Sequence, residues 1–129
     1  MSLRHKFFKP EIGDASLSVS EWNDLTDIKQ LDEIVNESTQ IPVVIFKHST
    51  RCDMSSTMLM KFESKYDFKD TELKPYFLNL IAFRDISNEI ASRFGIKHES
   101  PQIIVIKKGK AIGHASHRDI YFFDLKEKI

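Results

Sequence analysis

The stretch "HSTRCDMSS", residues 48–56, holds the one cysteine of this 129-residue chain, Cys52. A lone thiol closes no internal disulfide, so its chemistry must involve a partner outside the chain, as suits a reducing compartment. Ser55 stands three residues on, where a second cysteine would resolve a mixed disulfide from within. Serine can donate a hydrogen bond to a thiolate but cannot replace it. The C-x-x-S spacing therefore implies monothiol chemistry: Cys52 attacks a disulfide, keeps one half as an adduct, and waits for a second thiol to release it. Lys47, His48 and Arg51 precede Cys52 and Thr50 adds a hydroxyl, so the flank is cationic and polar. Asp53 opposes it. At an effective dielectric between about 20 and 80, a carboxylate about 6 Å from the sulfur raises the cost of ionisation by roughly 0.7–2.8 kcal/mol. A structural cysteine, buried as a small hydrophobe, is the bland alternative. The polar flanks on both sides favour the reactive one.

The elements around this stretch can be read from periodicity. "SVSEWNDL" suits a short first strand ending near Leu25. "TDIKQLDEIVNES" suits a helix, with Leu25, Ile28, Leu31, Ile34 and Val35 at spacings of three and four and Asp27–Gln30 as a capping pair. "VVIF" after Pro42 has no polar alternation and fits a central strand buried on both faces. From Cys52 the pattern is helical through Met54, Met58, Leu59, Phe62 and Tyr66, which puts the thiol at a helix N-terminus, where unpaired N–H groups and the helix dipole favour negative charge. "KPYFLNLIAF" reads as the next strand, with Arg84 ending it, and "ISNEIASRFG" as a helix closed by Gly95. "PQIIVIKKGKAIGHAS" predicts a hairpin turning at Lys108–Gly109. A last helix follows, with Ser116 and Asp119 as its capping pair and Ile120, Phe123 and Leu125 covering the sheet. The order β-α-β-α-β-α-β-β-α is that of the thioredoxin fold: an α/β domain with a central mixed sheet flanked by helices on both faces.

Within that fold "ESPQIIV" becomes informative. A proline opening the fourth strand is where a thioredoxin fold sets a cis peptide facing the catalytic cysteine. The Ser100–Pro101 bond is therefore expected to be cis, with the Ser100 backbone free to pair with a peptide-like substrate as an added strand.

"PVVIFKHSTRC" with Ser55 after it, "LNLIAFRDISNEIASRFGIKHESPQ" and "KKGKAIGHASH" together carry a specific resemblance. From about Trp22 to Leu125 the chain resembles the YtxJ family of bacillithiol-system proteins, the monothiol bacilliredoxins. The resemblance implies a cytoplasmic thioredoxin-fold oxidoreductase that removes bacillithiol from S-bacillithiolated proteins. The cysteine matching Cys52 would become the bacillithiolated intermediate, and bacillithiol or a similar small thiol would serve as co-substrate, with no tightly bound cofactor. The family motif has Thr or Arg before the cysteine and Pro-Ile-Ser after it. Asp53 and Met54 depart from it, and losing proline at the first helical turn removes a preorganised φ angle. Arg84 can pair with the carboxylates of bacillithiol or with Asp85. His98 can contact a bound thiol or face water. Ser116 and His117 can offer backbone N–H groups to an anion. His114 and His117 without further clustered ligands argue against a metal site.

Bulk properties agree with one small soluble domain. Nineteen basic and nineteen acidic residues give a formal net charge of zero, so neither nucleic acid nor an anionic membrane is an expected partner, and a monomer is expected. No apolar run reaches membrane-spanning length, and the N-terminal stretch lacks a secretory core. Residues 1–18 read as an extension and 19–129 as a single domain. Two other functions fit the residues: a thioredoxin-fold binding module or redox sensor with little turnover because of Asp53, and a monothiol glutaredoxin-like protein holding an iron–sulfur cluster with glutathione.

Overall fold

The computed structural model describes residues 22–129; the expected N-terminal extension and the first residues of "SVSEWNDL" lie outside them. The described chain runs β1 (Asn23–Asp24), α1 (Gln30–Glu37), β2 (Val43–His48), α2 (Asp53–Lys65), β3 (Lys74–Asn79), α3 (Arg84–Phe94), β4 (Gln102–Lys107), β5 (Lys110–Ser116), α4 (Asp119–Phe122) and α5 (Leu125–Lys128). The strands form one sheet in the order β1-β3-β2-β4-β5. β1 and β2 run parallel to β3, whereas β4 is antiparallel to both β2 and β5. β2, flanked on both sides, is buried at every position, as its unbroken apolar run requires.

Side-chain alternation divides the core into two layers. Val44 and Phe46 face Trp22, Met58, Leu59, Phe62 and Ile103 on the side covered by α2, α4 and α5. Val43 and Ile45 face Leu31, Ile34, Ile86, Ile90 and Ile104 on the side covered by α1 and α3. The capping pair of α1 is present: the Gln30 side chain accepts from the Asp27 N–H at 2.9 Å, and the Asp27 carboxylate accepts from the Lys29 N–H at 2.9 Å. Ile28 lies in the turn before the helix and is exposed, so it leaves the predicted apolar stripe. Gly95 closes α3 in the left-handed conformation (φ 66°). The Lys108–Gly109 turn has both residues at positive φ (51° and 78°), the geometry that matches hairpin twist.

Three expectations are corrected. Arg84 does not end a strand: β3 stops at Asn79, and Arg84 is the first residue of α3. Asn79 causes the break, because its side-chain oxygen accepts from the Ile81 N–H and turns the chain out of the sheet. Ser116 caps no helix, because it is still in β5, held by an amide hydrogen bond from Gln102. The last helix is two short ones, split where Phe123 turns extended and Asp124 caps α5 by accepting from the Lys126 N–H. Gly113 of β5 makes room for this arrangement, since a Cβ there would lie 3.0 Å from the Phe123 ring.

Candidate active site around Cys52

β2 delivers the chain to the edge of the sheet at His48, and residues 49–51 turn it into α2. Cys52 is the N-cap, with extended backbone (φ −124°, ψ 117°) and a half-buried side chain. Its N–H donates to the Ser49 carbonyl at 3.3 Å, and its carbonyl accepts from the Ser55 and Ser56 N–H groups at 3.0 and 3.3 Å. The thirteen-residue α2 thus starts beneath the sulfur. Thr50, Arg51 and Asp53 are exposed around it. Asp53 occupies the first turn, and the ion pairs among the described residues join other side chains (Lys74–Glu37, Arg93–Asp32 and Arg93–Glu89) rather than Arg51 and Asp53.

Ser55 is placed differently from its expected role. Its spacing with Met58, Leu59 and Phe62 puts it on the buried face of α2, and it is fully buried. The hydroxyl accepts from the Ser49 N–H at 3.0 Å and lies 2.8 Å from His48 Nδ1. It is therefore engaged under the turn rather than offered to the thiol. His48 is itself buried, its ring between those of Phe46 and Phe77 with centroids at 6.4 and 5.4 Å. The unit His48–Ser55–Ser49 ties the end of β2 to the first turn of α2, and so fixes the loop that carries Cys52.

The Ser100–Pro101 peptide bond is cis. Gln102 opposes Lys47 across the antiparallel β2–β4 pair, so Pro101 comes to the end of β2 from which the chain turns toward Cys52. The Pro101 carbonyl accepts from the His117 N–H at 2.9 Å. That bond uses the His117 N–H, so the expected anion contact there is not available. The Ser116 hydroxyl accepts from the Gln102 amide at 3.3 Å, and Ser116 holds the Glu99 carboxyl below the usual range. His98 is half-buried with Nδ1 3.1 Å from the Ser87 hydroxyl; burial lowers its proton affinity, and the charges of Lys47 and Arg84 lower it further. Arg84, the first residue of α3, is exposed. Among the described residues no three His, Cys, Asp or Glu side chains gather as a metal site. A cleft of about 420 Å³ lined by Phe62, Tyr66, Phe68 and Phe123 lies at the far end of α2 from Cys52.

From the sequence, Lys47 counts only among the cations flanking Cys52. It is completely buried, its amine has no hydrogen-bond partner among the described residues, and burial pulls its pKa down to about 8. The available signal was the apolar run of β2: a lysine continuing a strand buried on both faces must be buried too.

The family model for Monothiol bacilliredoxin BrxC matches residues 23–125. Among solved structures, a candidate oxidoreductase with a thioredoxin fold superposes with a TM-score of 0.69 at 28% identity, over 82% of this chain and 91% of that one. The thioredoxin of Malassezia sympodialis (TM-score 0.63, 17% identity, 84% and 89% covered) has the same fold. So does the thioredoxin of Trypanosoma brucei brucei (0.62, 19%, 89% and 93%). With a thioredoxin fold, a lone half-buried cysteine capping α2 and a family match over most of its length, the chain belongs to the monothiol bacilliredoxin family.

Proposed function

We propose that this protein removes bacillithiol from S-bacillithiolated proteins by monothiol exchange at Cys52, in the cytoplasm and as a monomer. The observation that carries the reading is a single half-buried cysteine at the start of a thirteen-residue helix, in a chain of the monothiol bacilliredoxin family. Negative charge is favoured at that position by the first-turn N–H groups and by the helix dipole. In the first step the Cys52 thiolate attacks the bacillithiol sulfur of the mixed disulfide. The new S–S bond forms as the old one breaks, and the client protein leaves as a thiolate, which takes a proton from water. In the second step a free bacillithiol thiolate attacks the bacillithiol sulfur of the adduct. Cys52 is released as a thiolate and the small thiol ends as its symmetrical disulfide, so the small thiol is the reductant. We assign Ser100 and Pro101 to the approach of the client chain and Arg84 and His98 to the small thiol, whereas the Ser116 hydroxyl and the His117 N–H are already engaged within the fold. No step requires a bound cofactor.

The test is to incubate the protein with a bacillithiolated client and weigh both by mass spectrometry. The client should lose its adduct while Cys52 gains it, and Cys52→Ser should do neither. A client that keeps its adduct beside unmodified wild-type protein would overturn the reading. The exposed Asp53 in the first turn favours one other reading, a redox sensor or binding module with slow turnover. Under that reading Cys52 gains the adduct once but free bacillithiol fails to remove it.

A further inference from the structure

Three buried polar side-chain atoms among the described residues have no hydrogen-bond partner: Lys47 Nζ, Ser100 Oγ and Gln102 Oε1. Lys47 and Gln102 are directly opposed across β2 and β4, and Ser100 stands two residues before Gln102. Opposed residues share a face, and this row continues the pairs Val43–Ile106 and Ile45–Ile104 of the α1/α3 layer. The apolar row therefore ends in a polar pair at the edge of the sheet where the Cys52 loop and the Ser100–Pro101 turn meet. The Gln102 amide nitrogen donates to the Lys97 carbonyl at 2.9 Å and to Ser116 Oγ at 3.3 Å, so its oxygen points away from both. Arg84 adds to the positive field of Lys47, and both act on His98 through their charge. Glu99, the acid beside His98 in sequence, has its carboxyl held below the usual range chiefly by Ser116. α3 begins at the same end without a side-chain cap.

We propose that Lys47, Ser100 and Gln102 form a binding site for a carboxylate that carries an adjacent N–H or O–H. The ammonium and the hydroxyl donate to the carboxylate oxygens, and the Gln102 oxygen accepts from the neighbouring N–H or O–H. A simple carboxylate leaves the Gln102 oxygen unmet, and a neutral amide leaves the ammonium unmet. Two sources offer this chemistry: the carboxylate end of the small thiol that exchanges at Cys52, and a free hydroxy or acylamino acid. The link to the thiol rests on the proposed function; the binding site itself does not.

The experiment uses the full chain carrying Cys52→Ser, which removes thiol exchange and so separates this proposal from the function above. The Gln102 side-chain amide and the His98 ring are followed by NMR during titration with N-acetylglycine, L-malate, acetate, N-acetylglycinamide and S-methylglutathione. N-acetylglycine and malate are expected to saturate with shifts at both groups. Acetate should bind more weakly and N-acetylglycinamide should not bind. Lys47→Met keeps the volume of the side chain, and it and Ser100→Ala should each weaken N-acetylglycine by about tenfold or more, as expected for a lost charged hydrogen bond. Tighter binding of S-methylglutathione than of N-acetylglycine assigns the site to the thiol, and equal binding assigns it to free carboxylates. No saturable binding of any carboxylate, or binding that Lys47→Met leaves unchanged in a protein whose spectrum is otherwise native, would overturn the proposal.

Discussion

Cys52 and Ser55 lie one helical turn apart and point to opposite environments. Cys52 precedes the first helical residue and stays half-buried; Ser55 belongs to the stripe that packs on β2. The hydroxyl satisfies a buried N–H at Ser49, so Ser55→Ala should cost about 1–3 kcal/mol, read as a lower denaturant midpoint. If the hydroxyl instead stabilised the sulfur directly, stability would hold while iodoacetamide alkylation slowed. Asp53 is testable at the same scale. Proline suits the first helical position because the N–H there has no intrahelical partner. Replacing the exposed carboxylate removes a like charge from beside the sulfur, so Asp53→Pro should alkylate faster at pH 7, by up to about threefold at the dielectric of water. Equal rates would show that the Asp53 carboxylate points away from the sulfur. Cysteine type, helix start and the departure at Asp53 were all legible from the residues alone. The partner of the Ser55 hydroxyl was not, because it depended on which face of α2 met the sheet.

Among the elements, β2 joins the core to the site. Its apolar run places it at the centre of the sheet, and the same placement traps Lys47 without water. The sign of the resulting pH dependence follows from linkage. Lys47 releases its proton near pH 8 in the folded chain, but near 10.5 when unfolded. Between those values the unfolded chain binds more protons, so stability should rise with pH. Tyr66 and Tyr76 act in the opposite sense. Burial raises both above the ordinary value of 10.0, so the folded chain keeps their protons and stability falls once pH passes that value. The rise should thus be read between about pH 8 and 10 in urea titrations. Lys47→Met should abolish it and be about 1–3 kcal/mol more stable at pH 7, because it removes an unpartnered buried amine. An unchanged slope in the variant would show that Lys47 does not cause it.

At the scale of the whole molecule, one sheet serves both core layers, and β2 supplies side chains to each. That predicts a single cooperative unfolding transition. Trp22 fluorescence reports on the layer under α2, where the indole lies against Phe62 with centroids at 5.9 Å, while far-UV dichroism reports on the whole chain. The two curves should coincide. Ile90→Ala, in the opposite layer, should shift both by about 2–5 kcal/mol. Separate transitions would mean that the layers unfold independently. The sequence by itself determined the order of the elements up to the last helix, the central strand, the hairpin turn and the lone thiol at a helix start, because each is written in periodicity or residue type over a few neighbouring positions. Tertiary structure alone decided that Arg84 opens a helix, that Ser116 stays in a strand, that Ser55 bonds His48, and that Lys47 opposes Gln102 in a buried pair. Those outcomes depend on strand register and helix facing, which bring together residues far apart in the chain and leave no local trace in it.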